Sequence, residues 1–484
     1  MNLLNTLHDL RQSVAAEAAL RIEHWQPGIE QPEFAASAAN LAHYLALRHH
    51  DLRDLQRELM RHGLSSLGRL ESRVLVTLQT VEAALEAMVR GVPLPAGWPA
   101  SPVAFFAGET RLRQNTLALL GGGADNGSGR ILVTLPTEAA QDPGYMLEIA
   151  RRGADVVRIN CAHDGSDDWA AMIENTQRAA AAMGRRIPVL MDIAGPKFRI
   201  GEVKRQHGER LRAGDRFRLV GTAAAFGQDP MIEAVCEPTD ALDRLAIGTE
   251  VSLDDGRLAG VVEESQPGRV VVLVQRTQLR GFKMKSERGM TFPRADLRLD
   301  PLTLTDLNDL DFVARHADMI GFSFVQSADD IGRMQHELAM RRPDWQRVGI
   351  VAKIETAQAV TNLPEIIVRA AGKQPFGVMI ARGDLAVAIG FERLAEMQEE
   401  ILWLCEAAHV PVIWATQVLE EMVKSGLPTR GEMTDAAMAG RAECVMLNKG
   451  PNVGEAIIAL KGLLQRMEEH QSKKTSRLRA LRSW

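Results

Sequence analysis

Val348-Gly349-Ile350-Val351-Ala352-Lys353-Ile354-Glu355 is an apolar run that ends on an ammonium and a carboxylate. Two later runs have the same build. Residues 376–380 lead into Ala381-Arg382-Gly383-Asp384, and residues 411–414 lead into Ala415-Thr416-Gln417. Short continuous apolar runs read as strands buried on both faces, the habit of a parallel sheet. When such strands close into a barrel, the working face lies at their carboxyl ends. An ammonium, two carboxylates and a hydroxyl then converge on one mouth. That set suits an anionic substrate held by a metal, with a proton to move.

Outward from this stretch, eight apolar strand candidates alternate with helical stretches: 131–135, 155–160, 188–192, 319–325, 348–354, 376–381, 411–415 and 444–447. Eightfold strand–helix alternation predicts an α/β fold, a (β/α)8 TIM barrel. The third and fourth candidates are far apart. The segment between them is rich in short β-like runs, in glycine and in Asp254-Asp255-Gly256. It reads as an inserted small β-barrel lid domain over 201–290, hinged at Gly195-Pro196 and Phe292-Pro293. The barrel itself is expected over 126–200 and 291–470. Residues 1–125 read as an all-helical amino-terminal region. Leu41, Leu45, Leu52, Leu55 and Leu59 form one stripe broken by Arg48, and Leu70, Val74, Leu78, Val81, Leu85 and Met88 repeat at helical spacing. Gly121-Gly122-Gly123, Gly127 and Gly129 predict a flexible joint, and 471–484 a basic, solvated tail.

The chain has 484 residues, a formal net charge of −5 and 25% charged residues, which argues against a general nucleic-acid binder. No apolar stretch approaches membrane-spanning length, and no secretory pattern opens the chain, so a cytoplasmic location is expected. Cys161, Cys236, Cys405 and Cys444 are scattered, so neither structural zinc nor disulfides are expected.

Side chains two apart on a strand share a face. Lys353 therefore points with Glu355, Arg158 with Asn160, and Arg382 with Asp384 if the strand persists that far. A buried ammonium is costly unless paired. A structural ion pair of Lys353 with Glu355 or Asp384 is one reading; catalysis at the barrel mouth is the other. Glu355 and Asp384 are hard oxygen donors suited to Mg²⁺ or Mn²⁺, although Asp384 could equally cap the following helix. Gly383 brings backbone N–H groups close to a carboxylate or phosphate. Arg158 and Lys353 together suit a phosphoryl group in transit.

Several motifs in order, from about Arg130 to Lys461, resemble the pyruvate kinase family. They are Arg158-Ile159-Asn160-Cys161-Ala162-His163, Met191-Asp192-Ile193-Ala194-Gly195-Pro196-Lys197-Phe198-Arg199, Ser323-Phe324-Val325, Ala352-Lys353-Ile354-Glu355, Ala381-Arg382-Gly383-Asp384-Leu385 and Ala415-Thr416-Gln417, followed by Pro428-Thr429-Arg430. The resemblance implies Mg²⁺-dependent transfer of a phosphoryl group from phosphoenolpyruvate to ADP, giving pyruvate and ATP. It implies Glu355 and Asp384 as metal ligands, and Lys353 and Arg158 on the moving phosphoryl group. Thr416 would serve the substrate and its proton path. Ala381, Gly383 and Asp384 would meet the substrate carboxylate, and Asn160, His163 and Arg199 the nucleotide phosphates. Arg288 would stand where the family has a lid lysine. The implied partners are these small molecules and further copies of the chain, with neither nucleic acid nor membrane.

The sequence also departs from the family. Of the four oxygen donors that usually hold K⁺, Asn160 and Asp192 remain, while Ala162 and Ile193 replace a serine and a threonine. Lys197 stands where K⁺-dependent members often have glutamate. Its ammonium, near Asn160 and Asp192, is expected to replace the ion, so K⁺ is not required. The usual carboxyl-terminal domain is not found, so activation by fructose bisphosphate through it is not expected. The helical region is open to oligomerisation or regulation. A metal-dependent pyruvate-enolate lyase or aldolase, and a non-catalytic phosphoenolpyruvate sensor, stand as the alternatives.

Overall fold

The computed structural model describes residues 3–477 except 124–128, 206–207, 255, 294, 296 and 298–299. Gly127, Asp255 and the distal tail therefore lie outside the described residues.

Eight strands close a wholly parallel barrel: β1 (Arg130–Thr134), β2 (Val156–Asn160), β3 (Val189–Asp192), β4 (Met319–Phe322), β5 (Gly349–Ile354), β6 (Phe376–Ala381), β7 (Val412–Ala415) and β8 (Cys444–Leu447). They match the eight apolar runs. β4 is shorter than its run, because Phe324 takes a left-handed backbone (φ 54°) and turns Ser323-Phe324 out of the sheet. Register aligns Asn160 with Asp192, Lys353 with Met379 and Ala381 with Ala415. Polar strand ends are thereby carried to one rim. Leu132, Val156, Leu190, Met319, Val351, Met379, Ile413, Cys444 and Met446 form a separate buried cluster in the barrel interior, and Leu119 and Leu120 complete it.

Between β3 and β4 the inserted domain forms a seven-stranded sheet with its own core around Phe217, Val272 and Met284. Its first strand (Arg199–Lys204) and last (Met290–Thr291) reach just beyond the expected bounds. These edges meet through an Arg199–Gly289 bridge, with Met290 N–H donating to Phe198 O (2.9 Å) and Ile200 N–H to Arg288 O (2.9 Å). The edges are closed in this way, which removes exposed strand pairing groups.

At the hinge, Gly195 has φ +67°, and a Cβ there would lie 2.9 Å from Ser323 Cβ. Only glycine fits both demands. Gly195 N–H donates to Asp306 (3.1 Å), a fully buried carboxylate that also closes the capping box of helix Leu304–His316 with Thr303.

The amino-terminal block comprises α1 (Leu3–Trp25), α2 (Pro32–Arg48), α3 (Arg53–Arg61), α4 (Val74–Arg90), α5 (Pro102–Phe105) and α6 (Ala107–Leu120). The stripe from Leu41 to Leu59 is two helices, because the chain breaks between Arg48 and Arg53. The block sits on the barrel floor. Leu119 fills the space that Gly349 and Gly377, at the starts of β5 and β6, leave open; a Cβ on either would come within 2.5–2.6 Å of it. His409, just before β7, is a keystone. Its ring meets Ser37 Oγ of α2 (2.8 Å) and Ser72 O (3.0 Å), and its carbonyl accepts from Asn115 of α6 (2.7 Å).

The near part of the tail is tied down, contrary to the expectation of a solvated terminus. Gln471–Ser472 pairs with Thr475–Ser476. Lys473 pairs with Glu443 of the barrel, and Lys474 with buried Glu71 of the helical block while lying over the Trp403 ring. Among the described residues, no helix is long and apolar enough to cross a membrane.

Candidate active site

A cavity of about 350 Å³ opens at the carboxyl ends of the strands, between barrel and inserted domain. Arg158, Asn160, Asp192, Lys197, Arg199, Lys353, Glu355, Ala381, Gly383, Asp384 and Thr416 all line it. All the expected site residues except His163 and Arg288 are thus brought together. His163 is exposed beside Asn160. Its N–H donates to Asn160 O (3.1 Å), and its carbonyl accepts from Trp169 Nε1 (3.1 Å).

Charge organises the cavity floor. Asp192 is fully buried, and its Oδ2 accepts from Arg158 Nε (2.8 Å) and lies 3.4 Å from Lys353 Nζ. Burial works to raise this carboxyl, but Arg158 and Lys353 outweigh it and hold the group below the usual carboxylate range. Burial likewise works to lower the Lys353 ammonium, but Asp192 and Glu355 overcome it, so Lys353 is held charged. Nζ lies 3.2 Å from Glu355 Oε1 and donates to Ser323 Oγ (2.7 Å).

Glu355 is raised, first by burial and further by the Asp384 charge, with Lys353 opposing. Two carboxylates that repel each other across one cavity form a donor pair that a divalent cation would relieve, and their hard oxygens fit Mg²⁺ or Mn²⁺. Among the described residues no group of three or more His, Cys, Asp or Glu side chains is placed to hold a metal. Substrate and water oxygens would have to complete such a shell.

Three placements differ from expectation. Lys197 Nζ donates to both oxygens of Asp384 (3.1 Å each) and forms no ion pair with Asp192. The extra cation therefore sits on the Asp384 side of the cavity. Arg382 does not share a face with Asp384, because the strand ends at Ala381 and a helix (Arg382–Ile389) begins. Its guanidinium turns to Asp435 (2.9 Å), the Thr416 carbonyl and the Trp414 ring. Asp384 thus lies inside the first turn and is not the helix cap. Arg288 pairs with Asp254 on the inserted domain (3.1 Å), away from the cavity lining. Thr416 Oγ1 lies 3.3 Å from where a Cβ on Gly383 would sit, so glycine keeps this corner open.

Sequence reasoning assigned no role to Ser323, Asp306 or Asp435. Ser323 could have been flagged, since it stands in a quoted motif. Asp306 and Asp435 lie on helices, where nothing local marks them.

The barrel-domain model of the pyruvate kinase family matches residues 128–456. Pyruvate kinase from Thermococcus litoralis is 32% identical over 350 residues, covering 71% of this chain and 70% of the relative. That from Agrobacterium vitis is 30% identical over 355 residues (72% and 70%), and that from Mycobacterium tuberculosis 31% over 334 residues (68% and 67%).

Proposed function

The chain belongs to the pyruvate kinase family, and from that premise we propose transfer of a phosphoryl group from phosphoenolpyruvate to ADP, forming pyruvate and ATP. The observation that carries this reading is the convergence of Lys353, Arg158, Glu355, Asp384 and Thr416 on one cavity under an inserted domain. Phosphoryl transfer asks for positioning and charge stabilisation more than for a protein nucleophile. Lys353, held charged, faces the moving group. Arg158, fixed by Asp192, grips its oxygens.

Glu355 and Asp384 would hold Mg²⁺ or Mn²⁺, which supplies positive charge opposite the anionic oxygens of the substrate. The backbone at Ala381–Gly383 would receive the substrate carboxylate, and Thr416 would stand on the proton path to the enolate carbon. Asn160, Arg199 and the nearby His163 would face the nucleotide phosphates. Closing the inserted domain would exclude water that competes for the phosphoryl group.

We further propose that turnover needs no K⁺. Ala162 and Ile193 bring no side-chain oxygen to the cavity, whereas Lys197 brings a fixed ammonium. On the same family premise, the protein works in the cytoplasm as an assembly of its own copies.

The test is pyruvate formation from phosphoenolpyruvate and ADP with Mg²⁺, with and without K⁺. ADP-dependent turnover without K⁺ is expected. An absolute need for K⁺ overturns the cation proposal alone. Ligand-shifted melting without turnover would favour the sensor reading, and turnover independent of ADP the lyase reading.

A further inference from the structure

Ser323 and Phe324 follow β4 and belong to no step above. Ser323 is buried, and its Oγ makes two short bonds. It donates to Ile193 O at the end of β3 (2.6 Å) and accepts from Lys353 Nζ (2.7 Å). A hydroxyl has one proton. With that proton committed to Ile193 O, the Oγ lone pairs are turned on Lys353. One residue on, Phe324 N–H donates to Glu355 Oε2 (2.7 Å). That N–H points at Glu355 from a residue held at φ 54°, a conformation a bulky side chain adopts only where its surroundings enforce it. Gly195 packs against both residues, 2.9 Å from Ser323 Cβ and 3.1 Å from Phe324 Cδ2 as a Cβ would see them.

We propose that the Ser323-Phe324 turn is a positioning device for the reaction, with Ser323 the positioning residue for Lys353. One side-chain hydroxyl and one backbone N–H, two groups on adjoining residues, hold Lys353 near the end of β5 and Glu355 just after it. They fix how far the ammonium stands from the carboxylate. Asp192 and Glu355 attract the ammonium from two sides at 3.4 and 3.2 Å, so charge alone leaves it free to shift between them. The 2.7 Å bond to Ser323 removes that freedom. A misplacement of about 1 Å in such a group costs on the order of 10²-fold in rate. Ser323 touches neither substrate nor metal in this scheme; it acts through Lys353.

The inference rests on the phosphoryl-transfer reading, and its test separates the two. Ser323→Ala, Ser323→Cys and Phe324→Gly are compared with wild type in kcat and in KM for phosphoenolpyruvate. They are also compared in melting temperature and in ¹⁵N relaxation of the Lys353 side-chain ammonium without ligand.

Ser323→Ala is expected to lower kcat by about 10- to 100-fold, with KM within threefold and melting little changed. Ser323→Cys, a weak acceptor, should fall between wild type and Ser323→Ala. Phe324→Gly keeps the N–H but loosens the turn, so a smaller kcat loss is expected. Unchanged kcat in Ser323→Ala, or a kcat loss accompanied by equal loss of KM affinity and of melting temperature, overturns the proposal. The relaxation measurement needs no turnover. An ammonium rigid in wild type and mobile in Ser323→Ala supports positioning even if the wild type is not a kinase. An ammonium equally mobile in both refutes it whatever the activity.

Discussion

Lys353 is the residue on which most of the chemistry converges, and it was legible because a lysine inside an apolar run must be either paired or useful. It is both: Asp192 and Glu355 hold it charged at the mouth, and Ser323 accepts a hydrogen bond from it. Lys353→Met keeps most of the stem and removes the charge, and should lower kcat by roughly 10²- to 10³-fold, the scale of losing one preorganised electrostatic donor. Steady-state kinetics at saturating Mg²⁺ will measure it. Lys197 is a sharper case. Its type and position were readable, but its partner was not, because Asp384 lies 187 residues away and reaches it only through the fold. Lys197→Met should cut turnover in K⁺-free buffer by about tenfold or more. An undiminished rate would show that Asp384 and not the rate depends on that ammonium.

At the scale of elements, the strands were readable and their fittings were not. Each barrel strand is a short apolar run, so burial on both faces announces it. The turn at Phe324 leaves no such mark, since the residue most often found at positive φ is glycine. The helical stripe from Leu41 to Leu59 misled for a related reason: its apolar period continues across the break at 49–52, and period alone does not register a break. Two elements carry predictions. Gly195→Ala forces a Cβ against Ser323 at φ +67° and should cost about 1–3 kcal/mol, seen as a lower urea midpoint. Leu119→Ala empties the site between Gly349 and Gly377 and should cost about 2–5 kcal/mol by the same measurement, the range for a buried leucine. A loss well under 1 kcal/mol would mean that α6 does not complete the barrel core.

On the whole molecule, His409 is one of the points where the helical block meets the barrel, and this junction is expected to respond to acid. Burial pushes the His409 imidazole down to about 4, with the Ser72 carbonyl bond opposing and the Arg111 charge adding to the effect. The unfolded chain therefore takes up a proton near pH 6.5 that the folded chain refuses until about pH 4. Stability from this group is present above about pH 6.5 and is lost as the pH falls towards 4, by about 2 kcal/mol between pH 7 and 5. Glu406 works in the opposite sense. Burial raises it to about 7, with Lys473 opposing and Glu71 and Glu443 adding, so it takes stability away as the pH rises from 4.5 to 7. The two oppose each other in the wild type, and a variant separates them. His409→Gln should lose about 2 kcal/mol less than wild type on going from pH 7 to 5, measured by urea unfolding. Equal losses would show that the ring is not the acid-sensitive part. None of this was visible in the sequence, where His409 is one of 12 histidines and its partners Ser37 and Ser72 lie more than 330 residues away.

That separation sets an order of events during synthesis. The helical block is synthesised ahead of the barrel, so His409 emerges 372 residues after Ser37. At roughly 5–20 residues per second the wait is about 20–75 s. Until then the Ser37 hydroxyl has no His409 ring to meet, and Leu119 has no closed barrel to enter. The glycines at the starts of β5 and β6 are thus made well after the Leu119 side chain that fills the space they leave.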